Sequence, residues 1–206
     1  MKEIEKVLKL QESVHRQLED KEVLQTLTEE EFKEIFGQGF IVGVFDGEQL
    51  IASRSMFIPP VDEPEHLADD SGIQDKESVI YSEISFIEPV YRGQKLQTRM
   101  GEYLIDEVTR DGRFKYCLTT VMPTNAASLK DKFKLGFKIM ATKYKYNGKR
   151  RHILRLDLHQ QLKVSGEAVK VRYNDVEWSM AYGDDYIGDR FDGEFLYYYQ
   201  KTEDLK

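Results

Sequence analysis

The stretch from Val79 to Phe137 constrains this chain more than any other. An apolar strand pattern from Val79 to Ile87 breaks at Pro89. The chain then passes through Glu88-Pro89-Val90-Tyr91-Arg92-Gly93-Gln94 into a helix whose apolar residues Leu96, Met100, Tyr103, Leu104 and Val108 share one face, ending near Asp111-Gly112. Tyr116 to Val121 reads as a second strand, and Asn125 to Leu135 as a short helix closed by Gly136. Strand, helix and strand in this order form a βαβ unit, for which parallel pairing is the expectation. A strand that breaks at a Pro and feeds Arg-Gly-Gln into a helix start points several free backbone N–H groups at one spot, with the helix dipole behind them. Such a turn suits a phosphate.

The flanking segments supply the rest of a sheet and its cover. Ile4, Val7, Leu8, Val14 and Leu18 recur at helical spacing, with His15 beside the stripe as a packed or solvated residue rather than a catalytic one. Thr28-Glu29-Glu30-Glu31 has the reciprocal capping pattern of a second helix, carrying Phe32, Ile35 and Phe36 and closed by Gly37 and Gly39. Phe40 to Phe45 and Leu50 to Ile58 are β-rich runs joined through Asp46-Gly47, and Phe137 to Tyr146 and His152 to Leu158 are joined through Asn147-Gly148, so two antiparallel hairpins are expected. Between Pro59-Pro60 and the third strand, Val61 to Glu77 reads as a long polar loop with seven acids, of a length that is usually functional or disordered. Beyond His159, period-two alternation at Val169, Val171 and Tyr173, at Trp178, Met180 and Tyr182, and at Phe195, Tyr197 and Tyr199 reads as three strands of a small β extension. Its aromatics suit core packing or a homodimer contact better than substrate binding.

Bulk properties bound the function classes. A chain of 206 residues with 40% apolar and 33% charged residues can bury one full core, and no stretch approaches the roughly 20 apolar residues of a membrane helix. The start, Met1 to Lys6, lacks a signal-peptide pattern, and the single Cys117 permits no internal disulfide, so a soluble cytoplasmic protein without membrane attachment is expected. Cys117 within an apolar strand is read as a packing residue. A net charge of −7 speaks against a general nucleic-acid binder. Ten basic residues between Lys130 and Arg155 face a single acid, Asp131, whereas Asp62 to Glu77 is strongly acidic. These are either two solvated faces or a basic rim for a phosphorylated cofactor and an acidic rim for a cationic amine. The four His residues have no zinc-like spacing with Cys117, and neither a phosphate-loop motif nor a nucleophile elbow is present, so no metal is expected.

The motif order resembles the GNAT superfamily of N-acetyltransferases, whose cofactor turn is written Arg/Gln-x-x-Gly-x-Gly/Ala. Here it stands as Arg92-Gly93-Gln94-Lys95-Leu96-Gln97, with Lys95 and Gln97 replacing the two later small residues, and it is followed by Asn125-x-x-Ser128 and Leu135-Gly136-Phe137. The resemblance covers about residues 39–158. It implies an α/β (α+β) fold with a mixed, mostly antiparallel sheet flanked by helices. The implied division is a domain over 1–158, with a helical pair in 1–38 and a core in 39–158, and a C-terminal β extension over 159–206.

What the resemblance implies for chemistry is transfer of acetyl from acetyl-CoA to a primary amine of a small molecule or peptide by direct attack. Backbone groups of Phe86, Ile87 and Glu88 would hold the acetyl-pantetheine arm. Amides of Arg92, Gly93, Gln94, Lys95, Leu96 and Gln97 would cradle the pyrophosphate, and Asn125 and Ser128 would meet the arm, Asn125 also serving as a helix N-cap. Glu83 is either a general base raised by partial burial or a solvent-facing strand residue. Lys132, where many family members carry a Tyr, is either a thiolate stabiliser or a surface lysine. The alternative is an acyl-CoA-binding module without turnover, or a protein-interaction scaffold on the same fold.

Overall fold

The computed structural model describes residues 2–18, 21, 24, 26–146 and 148–202, and the chain divides into two compact units. The first comprises Met1–Ile58 and Ile80–Gly112, the second Pro59–Val79 and Arg113–Lys206. Among the described residues no helix is long and apolar enough to cross a membrane.

The first unit is built on three antiparallel strands, β1 (Phe40–Asp46), β2 (Gln49–Phe57) and β3 (Val79–Ile87), in that order. The β1–β2 hairpin expected at Asp46-Gly47 turns one residue later: Asp46 pairs with Gln49, leaving Gly47 and Glu48 in the turn. Helices α1 (Lys2–Arg16) and α2 (Glu29–Gln38) form as their patterns foretell. Thr28 accepts from the Glu31 backbone N–H while the Glu31 carboxylate accepts from Thr28, so the capping box is complete. Ile4, Val7, Leu10 and Val14 of α1 and Phe32 and Ile35 of α2 bury against Leu50 and Phe86. A third helix, α3 (Leu96–Asp111), lays Leu96 and Met100 on Ile51 and Ala52. Tyr103, assigned to that apolar face from the sequence, is instead 52% exposed, lying off the buried stripe of Leu96, Met100, Gly101, Leu104 and Val108.

Two bulges decide which side chains meet which layer. Val44 pairs with Ala52 and Phe45 with Leu50, so Ile51 is an extra residue in β2. Leu50 therefore joins α1 and α2, whereas Ala52 faces α3. In β3, Glu83 and Ile84 together oppose the single Ser55, since Arg54 pairs with Ser85 and Met56 with Ser82. A one-residue slip reverses the face of everything beyond it. Accordingly Ser82 reaches Arg54 on the α3 side while Ile84 and Phe86 pack on the α1–α2 side.

The second unit holds β4 (Tyr116–Val121), α4 (Ala126–Lys134), β5 (Lys138–Lys145), β6 (Lys149–Asp157), β7 (Val169–Arg172), α5 (Val176–Tyr182), β8 (Tyr186–Phe191) and β9 (Phe195–Gln200). Its strands run β4-β6-β5-β8-β9-β7, each pair antiparallel. The β5–β6 hairpin forms as expected; of its turn pair Asn147-Gly148, Asn147 lies outside the described residues, as do Met1 and residues 203–206. The C-terminal segment differs from its sequence pattern. Trp178, Met180 and Tyr182 belong to a helix, α5, not a strand, because the Asp175 carboxylate caps the Trp178 N–H and starts a helical turn. The Trp178 ring then packs on Tyr182, Tyr186 and Tyr198, a mixture of i+4 and tertiary contacts that mimics alternation in the sequence. Strand β8, with its small and charged residues, escaped that reading altogether.

The acidic loop of residues 61–77 is ordered by the basic strands beside it. Asp70 pairs with Lys143 at 3.1 Å and with Lys145, Lys145 also donates to the Glu65 carbonyl at 2.9 Å, and Lys115 pairs with Asp75 at 3.0 Å. Asp70 and Asp75 thus spend their charge on two of the ten basic residues, Lys143 and Lys145, and on Lys115, against the reading of this loop as an open acidic rim. Burial holds the Glu63 carboxyl above its usual range despite Lys145 nearby.

His152 of β6 is fully buried, its Nδ1 2.8 Å from the Thr142 hydroxyl, and desolvation lowers its pKa to about 3. Unfolding returns it to about 6.5, so the unfolded chain binds the proton first and stability declines as pH falls from about 6.5 toward 3. At about 1.36 kcal/mol per pH unit, reached only below the unfolded pKa, about 2 kcal/mol is expected to be lost between pH 6.5 and 4.5 from this group. Urea titrations at stepped pH should show that slope, and His152→Gln should reduce it.

Candidate active site

The turn ahead of α3 is anchored at both ends. At its start the Glu88 N–H donates to the carbonyl of Ile51, the bulged residue of β2, at 2.9 Å, and the Glu88 carbonyl accepts from Tyr91. The short helical turn Pro89–Tyr91 is fixed outward by the Tyr91 hydroxyl, which donates to the Asp46 carboxylate at 2.6 Å. That hydrogen bond also raises the Tyr91 pKa. At its far end the Arg54 guanidinium donates to the Gln97 carbonyl at 2.9 Å and to Ser82 Oγ at 3.3 Å. Between these anchors Arg92, Gly93, Gln94 and Lys95 are exposed.

The backbone of the turn has the form an anion cradle requires. Gly93 has φ +83° with no heavy atom near the place of a Cβ, and Lys95, the N-cap of α3, has φ 60° and ψ 17°. Both lie in the left-handed region, where successive N–H groups turn toward one side. No side chain caps α3, and its first turn carries no acid. The first intrahelical bond runs from Arg99 N–H to the Lys95 carbonyl, so the earlier amides belong to the open helix start. Lys95 thus takes up the left-handed conformation that a glycine would adopt at this point of the turn. Of the three residues assigned to an acyl arm, Phe86 is buried between the sheet and Phe32, Ile87 pairs with Ala52, and the Glu88 N–H is already engaged.

Glu83 lies on the β3 bulge and is exposed. Of its two sequence readings the solvent-facing position is the one seen, because the bulge puts an extra residue on the strand and turns this one toward solvent. A bulge is also the usual means of re-aiming a side chain beside a site.

In the second unit Asn125 is the N-cap of α4, its Oδ1 accepting from the Ser128 N–H at 3.0 Å. Ser128 is partly buried in that first turn. Lys132, expected as either a thiolate partner or a surface lysine, is only 7% exposed, with its ammonium 5.4 Å from the Phe137 ring centre. A cation held against an aromatic face within a buried site is not a solvated one. Among the described residues no group of His, Cys, Asp or Glu could hold a metal, and Cys117 is a buried free thiol.

Sequence reasoning missed Arg54 and the two bulges. A lone Arg within Ile51-Ala52-Ser53-Arg54-Ser55-Met56-Phe57-Ile58 was the available signal for the first; nothing in the residue pattern marks the second.

These features define an α/β protein with an exposed turn, carrying two left-handed residues, between a strand and a helix. Comparison with solved structures places the fold. The ribosomal-protein-S18-alanine N-acetyltransferase of Escherichia coli aligns over 81% of this chain and 92% of its own with a TM-score of 0.57 and 16% identity. The structure of yncA from Salmonella typhimurium with its cofactor acetyl-CoA aligns over 79% and 92%, with TM-score 0.55 and 14% identity. An acetyltransferase of the GNAT family from Streptococcus pneumoniae aligns over 76% and 93%, with TM-score 0.56 and 15% identity. No family profile and no curated protein sequence matches the chain. The chain has the GNAT fold.

Lys95 holds a conformation that costs a non-glycine residue about 1–2 kcal/mol, against about 0.5–1 kcal/mol of extra chain entropy for Gly. Lys95→Gly is therefore expected to raise stability by about 0.5–1 kcal/mol and Lys95→Ala to leave it unrelieved. Chemical denaturation of the two variants side by side measures this.

Proposed function

We propose that this chain is an acetyl-CoA-dependent N-acetyltransferase that moves acetyl to a primary amine of a small molecule or peptide. The observation that carries the reading is the turn from Arg92 to Gln97, with two left-handed residues, an uncapped helix start and no acid in its first turn. The GNAT fold supports it, as does the presence of acetyl-CoA in one similar structure. Acetyl-CoA supplies a thioester-activated acyl group. The backbone N–H groups of Gly93, Gln94, Lys95, Leu96 and Gln97 bind its pyrophosphate beside Arg92, whose own N–H already donates to the Pro89 carbonyl at 3.2 Å, and backbone groups of Phe86 and Ile87, with Asn125 and Ser128, orient the arm.

An alkyl ammonium with pKa about 10.4 must lose a proton before it attacks, which costs about 4–5 kcal/mol near pH 7. Exposed Glu83 attracts that ammonium and takes its proton or passes it to water. The amine nitrogen forms the new bond to the acyl carbon as the carbon–sulfur bond breaks, and the second proton on nitrogen passes to water or to the departing thiolate. Lys132 supplies positive charge to the departing thiolate, which needs no acid to be stable near neutral pH. No covalent enzyme intermediate is required.

Saturating acetyl-CoA, at about 100 times its Kd, is expected to stabilise the native state by about 2.7 kcal/mol, read as a rise of several degrees in Tm. An unchanged Tm at millimolar acetyl-CoA overturns the cofactor assignment. With acetyl-CoA bound, release of free thiol in the presence of a panel of amines separates turnover from simple storage of the ligand.

Once an acceptor is found, Glu83→Gln is expected to lower kcat about 10²-fold, the usual worth of a positioned base, with acetyl-CoA affinity unchanged. An unchanged rate removes Glu83 from the mechanism.

A further inference from the structure

The structure assigns a role to Arg54: we propose that it is a positioning residue for the pyrophosphate-binding turn, an inference that rests on reading that turn as the acetyl-CoA site. Arg54 stands midway along β2, paired with Val42 of β1 and Ser85 of β3, and is 1% exposed. Beyond the Ile51 bulge the strand turns Ala52 toward α3, and Arg54, two residues on, shares that side. Its guanidinium forks, one arm to Ser82 Oγ and one to the Gln97 carbonyl in the first turn of α3.

A buried guanidinium is a costly way to fill this place, since an apolar side chain would pack beside Ala52 without desolvating a charge. Its sign is also wrong for the helix. Helix starts favour acids, and α1 and α2 carry Glu3 and Glu5, and Glu29, Glu30 and Glu31, in their first turns. At the start of α3 stand Arg92, Lys95 and Arg99, with Arg54 hydrogen-bonded beneath. Four cations at the positive end of a helix dipole oppose the stability of that helix and suit a doubly charged anion set on it. Arg54 is the one of the four that is fixed by hydrogen bonds and removed from solvent screening. It therefore holds the first turn of α3 in place relative to the sheet and keeps a permanent positive charge under the pyrophosphate. A Lys has one compact ammonium and cannot span both acceptors in this geometry.

The test is to measure binding of acetyl-CoA and of S-acetyl-pantetheine, which has the same acyl arm and no pyrophosphate, to the full chain and to Arg54→Lys and Arg54→Met. The expected result is that Arg54→Met loses about 10-fold or more in acetyl-CoA affinity, as for a charge-assisted contact, with acetyl-pantetheine unaffected. Arg54→Lys should fall between Arg54→Met and the natural chain. Loss of both ligands in equal measure makes Arg54 a general packing residue and overturns the proposal, as does unchanged acetyl-CoA binding. Circular dichroism checks that each variant folds; if Arg54→Met does not, the ratio of the two affinities in Arg54→Lys decides alone. If the natural chain binds acetyl-pantetheine but not acetyl-CoA, or neither, the cofactor reading itself has failed and the role of Arg54 falls with it. If it binds acetyl-CoA and the variants are unaltered, only the role of Arg54 has failed.

Discussion

The bulge at Ile51 is the constraint on which the first unit depends. By inserting one residue it lets a single strand serve two layers, with Leu50 against the helices α1 and α2 and Ala52 against α3. The same residue lends its carbonyl to the Glu88 N–H, so the irregularity that sorts the core also ties down the beginning of the turn. A regular β2 would leave every side chain beyond Leu50 on the opposite face, taking Ala52 away from Leu96 and Met100 and Arg54 away from Gln97. The second bulge, at Glu83 and Ile84, makes the compensating change in β3 and keeps Phe86 against Phe32.

In the second unit charge does what apolar packing does in the first. The segment of residues 61–77 has too few apolar residues to fold on its own, yet His66, Leu67, Ala68 and Ile73 are buried. Lys145, itself 7% exposed, holds the loop through Asp70 and the Glu65 carbonyl, and Arg155 reaches the Ser71 carbonyl while its own charge is met by Asp157. Pairs removed from solvent in this way are costly to break singly, because the surviving charge is left buried. The cost explains why a loop of this composition is ordered.

Much of this was legible in the residues, and what was not has identifiable causes. Hairpins announced by Asp46-Gly47, a capping box at Thr28 and Glu31, and the helix over Leu96 to Asp111 each depend on contacts close in sequence, where local chemistry decides. The Asp70 pairs with Lys143 and Lys145 depend on residues more than seventy positions apart, so composition revealed two charged segments and not their union. Trp178, Met180 and Tyr182 satisfied a two-residue period by coincidence; the deciding signal was Asp175, a helix cap three residues before Trp178. Lys132 stayed open between two readings for a related reason: a lysine amid other lysines looks solvated until Phe137 is seen beside it. Glu83 stayed open between two readings in the sequence because a bulge has no sequence signature here.

The departure of this turn from the GNAT pattern has a physical resolution. Glycine is favoured in such turns because it enters the left-handed region freely and leaves room for a phosphate. Lys95 enters that region anyway, and its side chain, which a glycine would lack, brings a positive charge to an exposed N-cap. Gln97 falls within the first turn of α3, where the demand is for a fixed carbonyl and open amides rather than for the absence of a side chain. The Arg54 bond to that carbonyl meets the demand from below. Strain at Lys95 and a buried charge at Arg54 are both unfavourable to an empty turn, and an anion across the helix start offsets the second directly. In the proposed acetyl-CoA site that relief would come with binding, and the replaced glycines would mark a differently built turn.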